Sequence, residues 1–233
     1  MSEQIKNMFS RISQKYDLIN DILSLGMHRL WRRKAVKYSG IRKGESILDC
    51  ACGTGDFAFE FKHQLGESSE ILACDFCEDM LVIGSAKANR LNFNIKFEQQ
   101  DILALTYPDD SFDNSCIAFG IRNVDNTVEC LREMARVIRP GGKIIVLEFG
   151  QPTGLFEKIY SLYSSYYIPF IGKLVTGDKA AYEYLPRSTA AYYAGFKFIE
   201  KMYESSVLEN CRFKKMTGGL AYIYIAEVKK CIS

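Results

Sequence analysis

Apolar and polar positions follow two alternating patterns along most of the chain. Short apolar runs rich in Ile, Leu and Val are separated by longer stretches in which apolar residues recur every third or fourth position. The short runs predict buried strands, and the longer stretches predict amphipathic helices. The predicted strands are 46–49, 71–75, 95–100, 114–119 and 143–148. The predicted helices are 2–20, 57–65, 77–89 and 126–137. This alternation predicts an α/β domain with a mostly parallel sheet and helices on both faces.

The pattern changes after residue 149. The next fifty residues crowd tyrosine and phenylalanine between prolines and glycines, which predicts an aromatic cap over the strand ends. The cap is either core packing or the wall of a pocket for a large apolar or aromatic substrate. Residues 213–216 and 221–228 predict a terminal β-hairpin joined through Gly218 and Gly219. We therefore expect a single domain, 1–233, made of a helical cap (1–44), a ligand-binding core (45–149), the aromatic substrate cap (150–200) and a hairpin region (201–233).

A glycine turn follows the first predicted strand. Asp49 ends that strand, Gly53-Thr54-Gly55 forms the turn, and Asp56 begins the next helix. In a doubly wound sheet the ligand binds here, and glycine lets the backbone approach it closely. The turn also fits a dinucleotide fingerprint. Two flanking carboxylates, however, would repel a pyrophosphate and attract the sulfonium and ammonium groups of S-adenosylmethionine. A helix-capping turn without a ligand is the structural alternative.

Acidic side chains also follow the next two predicted strands. Asp75 ends the second strand, where a carboxylate can accept hydrogen bonds from both ribose hydroxyls of an adenosine. Asp101 and Ile102 follow the third strand, where the acid could accept from the adenine amino group while Ile102 contacts the ring. Met80 lies on the helix between these strands. We expect Met80 in the core, with contact to the nucleoside as the alternative.

Composition excludes several classes of protein. The 233 residues carry a formal charge of +2, which gives no general attraction for nucleic acid. The first thirty residues contain charged side chains and no apolar core region, and no membrane-spanning run is present, so we expect a cytoplasmic protein. A basic cluster predicts a solvated helix face, with contact to lipid headgroups as the alternative. Its members are Arg29, Arg32, Arg33, Lys34, Lys37, Arg42 and Lys43.

Eight cysteines are typical of a reducing compartment. Cys50, Cys52, Cys74 and Cys77 lie near the ends of two predicted strands and could converge on zinc. Their spacing lacks the usual paired knuckles of a zinc site. We therefore expect buried free thiols and no metal.

Three long motifs occur in order at 16–31, 118–124 and 136–149. The first and third resemble the two signatures of the ubiquinone/menaquinone biosynthesis C-methyltransferase family, and the second resembles the loop between them. The resemblance runs nearly end to end. It implies the class I methyltransferase fold, a Rossmann-like, mostly parallel seven-stranded sheet that ends in an antiparallel hairpin. It also implies S-adenosyl-L-methionine as cofactor and S-adenosyl-L-homocysteine as product.

The resemblance assigns cofactor contacts to Thr54, Asp75, Asp101 and Ile102. Ala118 stands where some members have a serine near the cofactor, so that hydrogen bond is absent here. The complete predicted cofactor site is Asp49, Gly53, Thr54, Gly55, Asp75, Met80, Asp101, Ile102 and Ala118.

The implied reaction is transfer of a methyl group to a ring carbon of a polyprenylated quinol. Arg122, directly after the fourth strand, is a candidate to stabilise the phenolate, because guanidinium stays charged. A structural salt bridge of Arg122 is the alternative. Tyr16 and His28 are candidates for hydrogen bonding or proton removal, and Asn123 for orienting a ring oxygen.

The resemblance leaves the identity of the quinol open. We favour demethylmenaquinol, converted to menaquinol in menaquinone biosynthesis, with the methoxy-benzoquinol precursor of ubiquinone or another small aromatic as alternatives. A non-catalytic S-adenosylmethionine-binding partner and an NAD-dependent oxidoreductase are the alternatives outside this class. A substrate this apolar lies in the bilayer, so we expect transient contact with the inner membrane surface, and a homo-oligomer stays open.

Overall fold

One seven-stranded sheet organises the part of the chain that the computed structural model describes, residues 3–152, 154, 157, 163, 189 and 192–230. Its strands are β1 (Ile47–Cys50), β2 (Ile71–Asp75), β3 (Lys96–Gln99), β4 (Phe112–Ala118), β5 (Ile138–Phe149), β6 (Leu208–Met216) and β7 (Ala221–Val228). The helices are α1 (Glu3–Ile12), α2 (Tyr16–Ser24), α3 (Met27–Ser39), α4 (Asp56–Leu65), α5 (Glu78–Arg90), α6 (Thr127–Arg136) and α7 (Phe196–Glu204). Single 3-10 turns cover Ser13–Lys15, Ile121–Asn123 and Thr217–Gly219.

The strand order is β3-β2-β1-β4-β5-β7-β6. Strands β1 to β5 are parallel, and β7 runs antiparallel between β5 and β6. The order reverses between β1 and β4, and in such sheets the ligand crevice lies outside the carboxyl ends of the strands at that point. The predicted fold class, a mostly parallel sheet that ends in an antiparallel hairpin, is confirmed.

The central strands of the sheet are buried on both faces, which explains their continuous apolar runs, whereas the edge strands β3 and β6 are partly exposed. Successive residues of β5 alternate between the two cores. Ile144 and Val146 pack in the core under α6 and α7, and Ile145 and Leu147 pack in the core under α3 and α4. The sheet thus forms a rigid floor for the loops at its carboxyl edge.

The amino-terminal segment differs from its prediction. The sequence predicts one helix over 2–20, whereas the structure breaks it at Ser13–Lys15 into α1 and α2. The two pieces have different supports. Ser10 of α1 hydrogen-bonds Asp79 of α5, and Asp17 of α2 accepts from Thr54 of the glycine turn. Because the two partners, Asp79 and Thr54, belong to different parts of the sheet edge, the chain turns between α1 and α2. The spacing of apolar residues alone does not predict this turn.

Strand β5 also begins earlier than predicted. The sequence predicts that Pro140-Gly-Gly ends a helix and that a strand starts at Lys143, but α6 ends at Arg136 and β5 starts at Ile138. Gly141 and Gly142 lie inside β5, where Gly142 packs closely against the neighbouring strand β4. A Cβ on Gly142 would lie 2.1 Å from the carbonyl oxygen of Asp113, so only glycine fits there.

Most of the predicted aromatic cap, 150–200, lies outside the described residues, and the division of the chain into four regions stays a prediction. Helix α7 and the early start of β6 were not predicted. Three tyrosines of the cap lie among the described residues, Tyr163, Tyr192 and Tyr193. The hydroxyl of Tyr163 donates to the carbonyl oxygen of Leu23 (2.6 Å), and the Tyr192 ring packs 6.0 Å from that of Phe198.

Candidate active site at the carboxyl ends of the strands

The glycine turn after β1 is held by the carboxylate that ends β2. The backbone N–H of Gly53 donates to Asp75 Oδ2 (2.8 Å), and the N–H of Cys77 donates to Asp75 Oδ1 (2.8 Å). Gly53 and Gly55 both adopt positive φ (56° and 84°), and a Cβ on Gly55 would lie 2.9 Å from the Phe97 ring. The local sequence therefore needs glycine at both positions.

Asp75 keeps capacity for a ligand. Its two oxygens together offer about four acceptor positions, more than the backbone N–H groups of Gly53, Phe76 and Cys77 occupy, so the carboxylate can still accept from a ligand hydroxyl. Burial raises the pKa of Asp75, against the lowering effect of those N–H groups. Asp101 follows the neighbouring strand, where the N–H of Gln100 donates to the Asp75 carbonyl (3.1 Å). Asp101 Oδ1 accepts from the N–H of Leu103 (3.0 Å), and Ile102 is buried beside it.

Neither carboxylate that flanks the turn presents a free negative charge, because Asp49 is buried with a raised pKa and Asp56 is paired with two cations. Asp49 is fully buried and accepts from the N–H of Ala58 (2.9 Å), and burial raises its pKa to about 7. Asp56 forms ion pairs with Lys87 (2.7 Å) and Arg32 (3.5 Å). Although burial acts against it, these two charges lower the pKa of Asp56. The attraction for a cationic ligand therefore depends less on these two residues than the sequence suggests.

Thr54 connects the turn to the amino-terminal segment. Its hydroxyl donates to Asp17 Oδ1 (2.5 Å), and Lys87 Nζ donates to Asp17 Oδ2 (2.6 Å). Lys87 also reaches Thr54 Oγ1 (3.2 Å) and Asp56. Helix α2 is therefore fixed over the turn by charged contacts with α4 and α5. We call Asp17, Thr54, Asp56 and Lys87 the latch.

Arg122 lies in the 3-10 turn after β4 and is almost fully buried. Its Nη1 pairs with Glu148 Oε1 at the end of β5 (2.8 Å) and also donates to the carbonyl of Phe119, which adopts a positive φ of 58°. Its guanidinium lies 5.2 Å from the centre of the Phe149 ring. Within the described residues, its buried Nε has no hydrogen-bond partner. A buried donor without a partner is costly, so this N–H is available to a ligand.

Tyr16 covers the glycine turn at the start of α2. A Cβ on Gly53 would lie 3.7 Å from Tyr16 Cε1. Burial raises the pKa of the Tyr16 phenol, and this effect exceeds the opposing hydrogen bond with Asn20 and the charges of Arg32 and Arg122. The phenol is therefore protonated at neutral pH.

His28, at the start of α3, has both ring nitrogens engaged. Nε2 contacts Asp21 Oδ1 (2.8 Å), and Nδ1 contacts Arg32. Burial lowers the pKa of His28, as does the charge of Arg32. The ring is therefore neutral at pH 7 and holds Arg32 in place. This geometry favours a positioning role for His28 over direct proton removal.

The remaining predicted site residues lie around this centre. Met80 is buried in α5, Ala118 ends β4 beside Leu147, and Asn123 is buried in the turn that carries Arg122. Within the described part of the chain, no group of three or more His, Cys, Asp or Glu side chains is arranged to hold a metal ion. Burial raises the pKa of the Cys52 thiol, as expected for an inert side chain.

Comparison with known proteins decides the family. Residues 1–228 match the model of the ubiE/COQ5 methyltransferase family. The chain belongs to this family. It is therefore a methyltransferase that uses S-adenosylmethionine, and the family resemblance drawn from its motifs is confirmed.

Relatives in this family match nearly the whole chain. It is 49% identical over 228 residues to the ubiquinone/menaquinone biosynthesis C-methyltransferase UbiE of Bdellovibrio bacteriovorus, with 97% of each chain covered. It is 38% identical over 229 residues to the demethylmenaquinone methyltransferase of Staphylococcus aureus, with 98% of this chain and 94% of the relative covered.

Solved structures share the fold at low identity. A SAM-dependent methyltransferase from Aquifex aeolicus is 17% identical with a TM-score of 0.62, covering 84% of this chain and 89% of its own. Phosphoethanolamine N-methyltransferase 2 of Haemonchus contortus, solved with S-adenosyl-L-methionine, is 13% identical with a TM-score of 0.63 over 85% of this chain and 52% of its own.

The residues around the glycine turn fit the family's cofactor. Asp75 and Asp101 are hydrogen-bond acceptors at neighbouring strand ends, as ribose hydroxyls and an adenine amino group require. The turn lacks side chains at Gly53 and Gly55, and Tyr16 bounds the space above it. The individual contacts assigned to these residues remain proposals.

The structure adds residues that sequence reasoning missed. Asp17, Lys87 and Arg32 form ion pairs around the turn, and Glu148 holds Arg122. Lys87 has no sequence signal, because it sits on an ordinary polar position of α5. Glu148 does have a sequence signal, because an acidic residue at the end of an apolar strand needs a partner when it is buried.

Proposed function

We propose that the protein methylates a ring carbon of a prenylated quinol, and that demethylmenaquinol is its substrate. The observation that carries this proposal is the buried Arg122, with an unpartnered Nε–H, in the turn that follows β4 at the carboxyl edge of the sheet. The curated names of the two relatives support the same substrate class, and one of them names demethylmenaquinone alone.

The chemistry requires an electron-rich ring. A quinol hydroxyl resembles that of tyrosine, with a pKa of about 10, and its phenolate increases the electron density at the ring carbons. The bound cofactor supplies an electrophilic methyl group on a sulfonium. The protein therefore has to favour the phenolate, hold the ring carbon in line with that methyl and keep water out. Holding reactants in this way contributes about 7–11 kcal/mol in favourable intramolecular cases.

Arg122 stabilises the phenolate in this scheme. Its charge is fixed at any accessible pH, and Glu148, Phe119 and Phe149 hold the guanidinium in one orientation. A preorganised cationic donor in a buried site costs no reorganisation when charge develops. Asn123, in the same turn, orients the second ring oxygen.

Tyr16 donates a hydrogen bond in this scheme and does not remove a proton, because burial keeps its phenol protonated. His28 positions Arg32, which contacts Asp56 and lies 5.4 Å from the centre of the Phe119 ring. The hydroxyl proton of the quinol is lost to water as the phenolate forms at the Arg122 site. Once the methyl group is on the ring carbon, that carbon loses its own proton to water, which restores the aromatic ring and leaves S-adenosyl-L-homocysteine as the other product. Because the substrate is lipid-soluble, the protein also contacts the inner membrane surface transiently.

The test is methyl transfer from labelled S-adenosylmethionine to reduced, short-tail demethylmenaquinol, with the methylated position read by NMR. We expect label on the ring carbon of the quinol and none with the oxidised quinone, which cannot form a phenolate. Label on oxygen, or equal labelling of quinol and quinone, would contradict the proposed chemistry.

The methoxy-benzoquinol precursor of ubiquinone is the second candidate. The name of the 49% identical relative includes both pathways, which favours testing it in parallel. Label in the benzoquinol alone would assign the enzyme to ubiquinone biosynthesis. The roles proposed for Arg122 and Tyr16 would stay the same.

A further inference from the structure

Three leucines on the amino-terminal helices are exposed to solvent. Leu18 of α2 is 54% exposed, Leu25 in the turn between α2 and α3 is 70% exposed, and Leu30 of α3 is 45% exposed. Single exposed leucines are common on protein surfaces. Here three of them fall within one helix–turn–helix unit, with Leu18 on α2, Leu25 at the carboxyl cap of α2 and Leu30 on α3.

Leu25 is unfavourable for stability in two ways. It adopts a positive φ of 50° at the carboxyl end of α2, a position at which glycine or asparagine is preferred. Its apolar side chain also gains nothing from the fold, because it points into water. A contact outside the chain would give this strained and exposed leucine a role.

Basic side chains surround these leucines. Residues 11–43 contain nine Lys and Arg and two Asp, a net charge of +7, while the rest of the chain has a net charge of −5. Both acidic residues of this segment are already paired, Asp17 with Lys87 and Asp21 with Arg29. The exposed positions Arg29, Arg33 and Lys37 are four apart and therefore line one face of α3.

We infer that this surface, Leu18, Leu25, Arg29, Leu30, Arg33 and Lys37, docks on an anionic lipid bilayer. We call it the docking face. Leucines that insert between lipids, with Lys and Arg at headgroup level, are the pattern of an interfacial helix, and anionic lipids attract such basic clusters. Nucleic acid would satisfy the basic residues and leave the leucines without a role. Within the described residues, no helix is long and apolar enough to cross a membrane.

The docking face lies on the same helices as three residues of the predicted active site. Helices α2 and α3 carry Tyr16, His28 and Arg32 on their inner sides, and these residues line the predicted active site. Docking would therefore bring the site against the bilayer in which a prenylated quinol dissolves. In this respect the inference rests on the proposed function.

The test is co-sedimentation of the full chain with lipid vesicles in the absence of substrate and cofactor. Vesicles of phosphatidylcholine alone are compared with vesicles of phosphatidylcholine and phosphatidylglycerol in equal parts. The variant Leu18→Gln/Leu25→Asn/Leu30→Gln removes the apolar part of the docking face. The control Val82→Gln/Leu91→Gln removes two exposed apolar side chains of α5, which are 63% and 46% exposed.

We expect the wild type to bind anionic vesicles at least tenfold more tightly than neutral ones. The leucine variant should lose at least tenfold of that affinity, and the control should lose none. Since Leu25→Asn relieves a strained position, the thermal midpoint of the leucine variant should equal or exceed that of the wild type. Unchanged vesicle binding by the leucine variant would overturn the inference, as would equally tight binding of a DNA oligonucleotide.

Activity separates this inference from the proposed function. The leucine variant should methylate a water-soluble, short-tail quinol at the wild-type rate and a long-tail quinol in anionic vesicles at least tenfold more slowly. Vesicle binding without methylation of either quinol would contradict the proposed substrate and would still support the docking face. Equal rates of wild type and variant on the long-tail quinol would overturn the delivery role.

Discussion

Arg122 is the buried side chain to which we assign stabilisation of the phenolate. Its Nη1 is shared between Glu148 and the carbonyl of Phe119, and its Nε–H has no partner within the described residues. Removing Arg122 alone would leave Glu148 buried without a counter-charge, which costs about 3–5 kcal/mol. A single substitution therefore mixes loss of folding with loss of chemistry.

Paired substitution separates the two effects. The double variant Arg122→Gln/Glu148→Gln removes both charges, so it should fold with near wild-type stability. We expect kcat to fall by about 10²–10³, the range for loss of one preorganised donor, with unchanged affinity for S-adenosylhomocysteine. The control is Arg139→Ala, whose side chain is 55% exposed and pairs with Asp113 at the other end of the sheet. Near wild-type turnover of the double variant, measured by product formation and calorimetry, would exclude the electrostatic role.

Asp49 gives a prediction on the pH dependence of stability. In the unfolded chain its carboxyl loses its proton near pH 4, whereas burial raises the pKa to about 7 in the folded protein. The folded state therefore binds the extra proton between these values, and the stability from Asp49 is complete below pH 4 and is lost as the pH rises to 7. The variant Asp49→Asn should lack this loss and become more stable relative to the wild type toward pH 8, by urea denaturation.

Asp113 is the control of opposite sign. Although burial acts against it, hydrogen bonds from Ser46 and the charge of Arg139 lower the pKa of Asp113. Its stability is present at neutral pH and is lost as the pH falls below 4. Asp113→Asn should therefore be less stable than the wild type at pH 7, with the difference shrinking in acid. A pH-independent difference between Asp49→Asn and the wild type would contradict the assignment for Asp49.

At the scale of elements, the latch decides where helix α2 lies. Asp17 of α2 accepts from Thr54 and Lys87, and Lys87 also pairs with Asp56 at the start of α4. These contacts join the amino-terminal segment to the glycine turn, and they keep Tyr16 above Gly53. The segment over the cofactor site is thus held by a few polar contacts and a small apolar cluster of Met8, Ile12 and Ile19.

Breaking the latch should weaken cofactor binding. We expect Asp17→Asn and Lys87→Met each to raise the dissociation constant of S-adenosylhomocysteine several-fold and to speed proteolysis within 13–24. The double variant should cost less than the sum of the two, because both residues act in one contact. The control is Lys96→Met on β3, because this side chain is 74% exposed and its surface ion pair with Glu98 should contribute nothing measurable. Fully additive effects in calorimetry would contradict a shared role.

At the scale of the whole molecule, the strands were the most predictable part. The apolar runs around Ile47, Ile71 and Ile145 mark the central strands, because strands buried on both faces leave continuous apolar sequence. The glycine turn and Asp75 were also readable, since both depend on local backbone chemistry. The family resemblance predicted that the sheet ends in an antiparallel hairpin.

The parts that could not be read depend on contacts between distant residues. Ala51 and Phe119 adopt positive φ at the ends of β1 and β4 (48° and 58°), although the sequence shows no glycine at either position. The ion pairs of Lys87 and Glu148 join elements far apart in the chain. The break in the predicted helix over 2–20 has the same origin, because tertiary supports override the apolar period.

The most direct test of the account is a single competition reaction. Demethylmenaquinol and the methoxy-benzoquinol precursor of ubiquinone, both reduced and with the same short tail, are mixed with the enzyme and labelled S-adenosylmethionine. Mass spectrometry then reads the label in each quinone. We predict label in the naphthoquinone, in excess over the benzoquinone and lost in Arg122→Gln/Glu148→Gln. Absence of label from both quinols, with S-adenosylhomocysteine still bound by the protein, would contradict methyl transfer to a quinol.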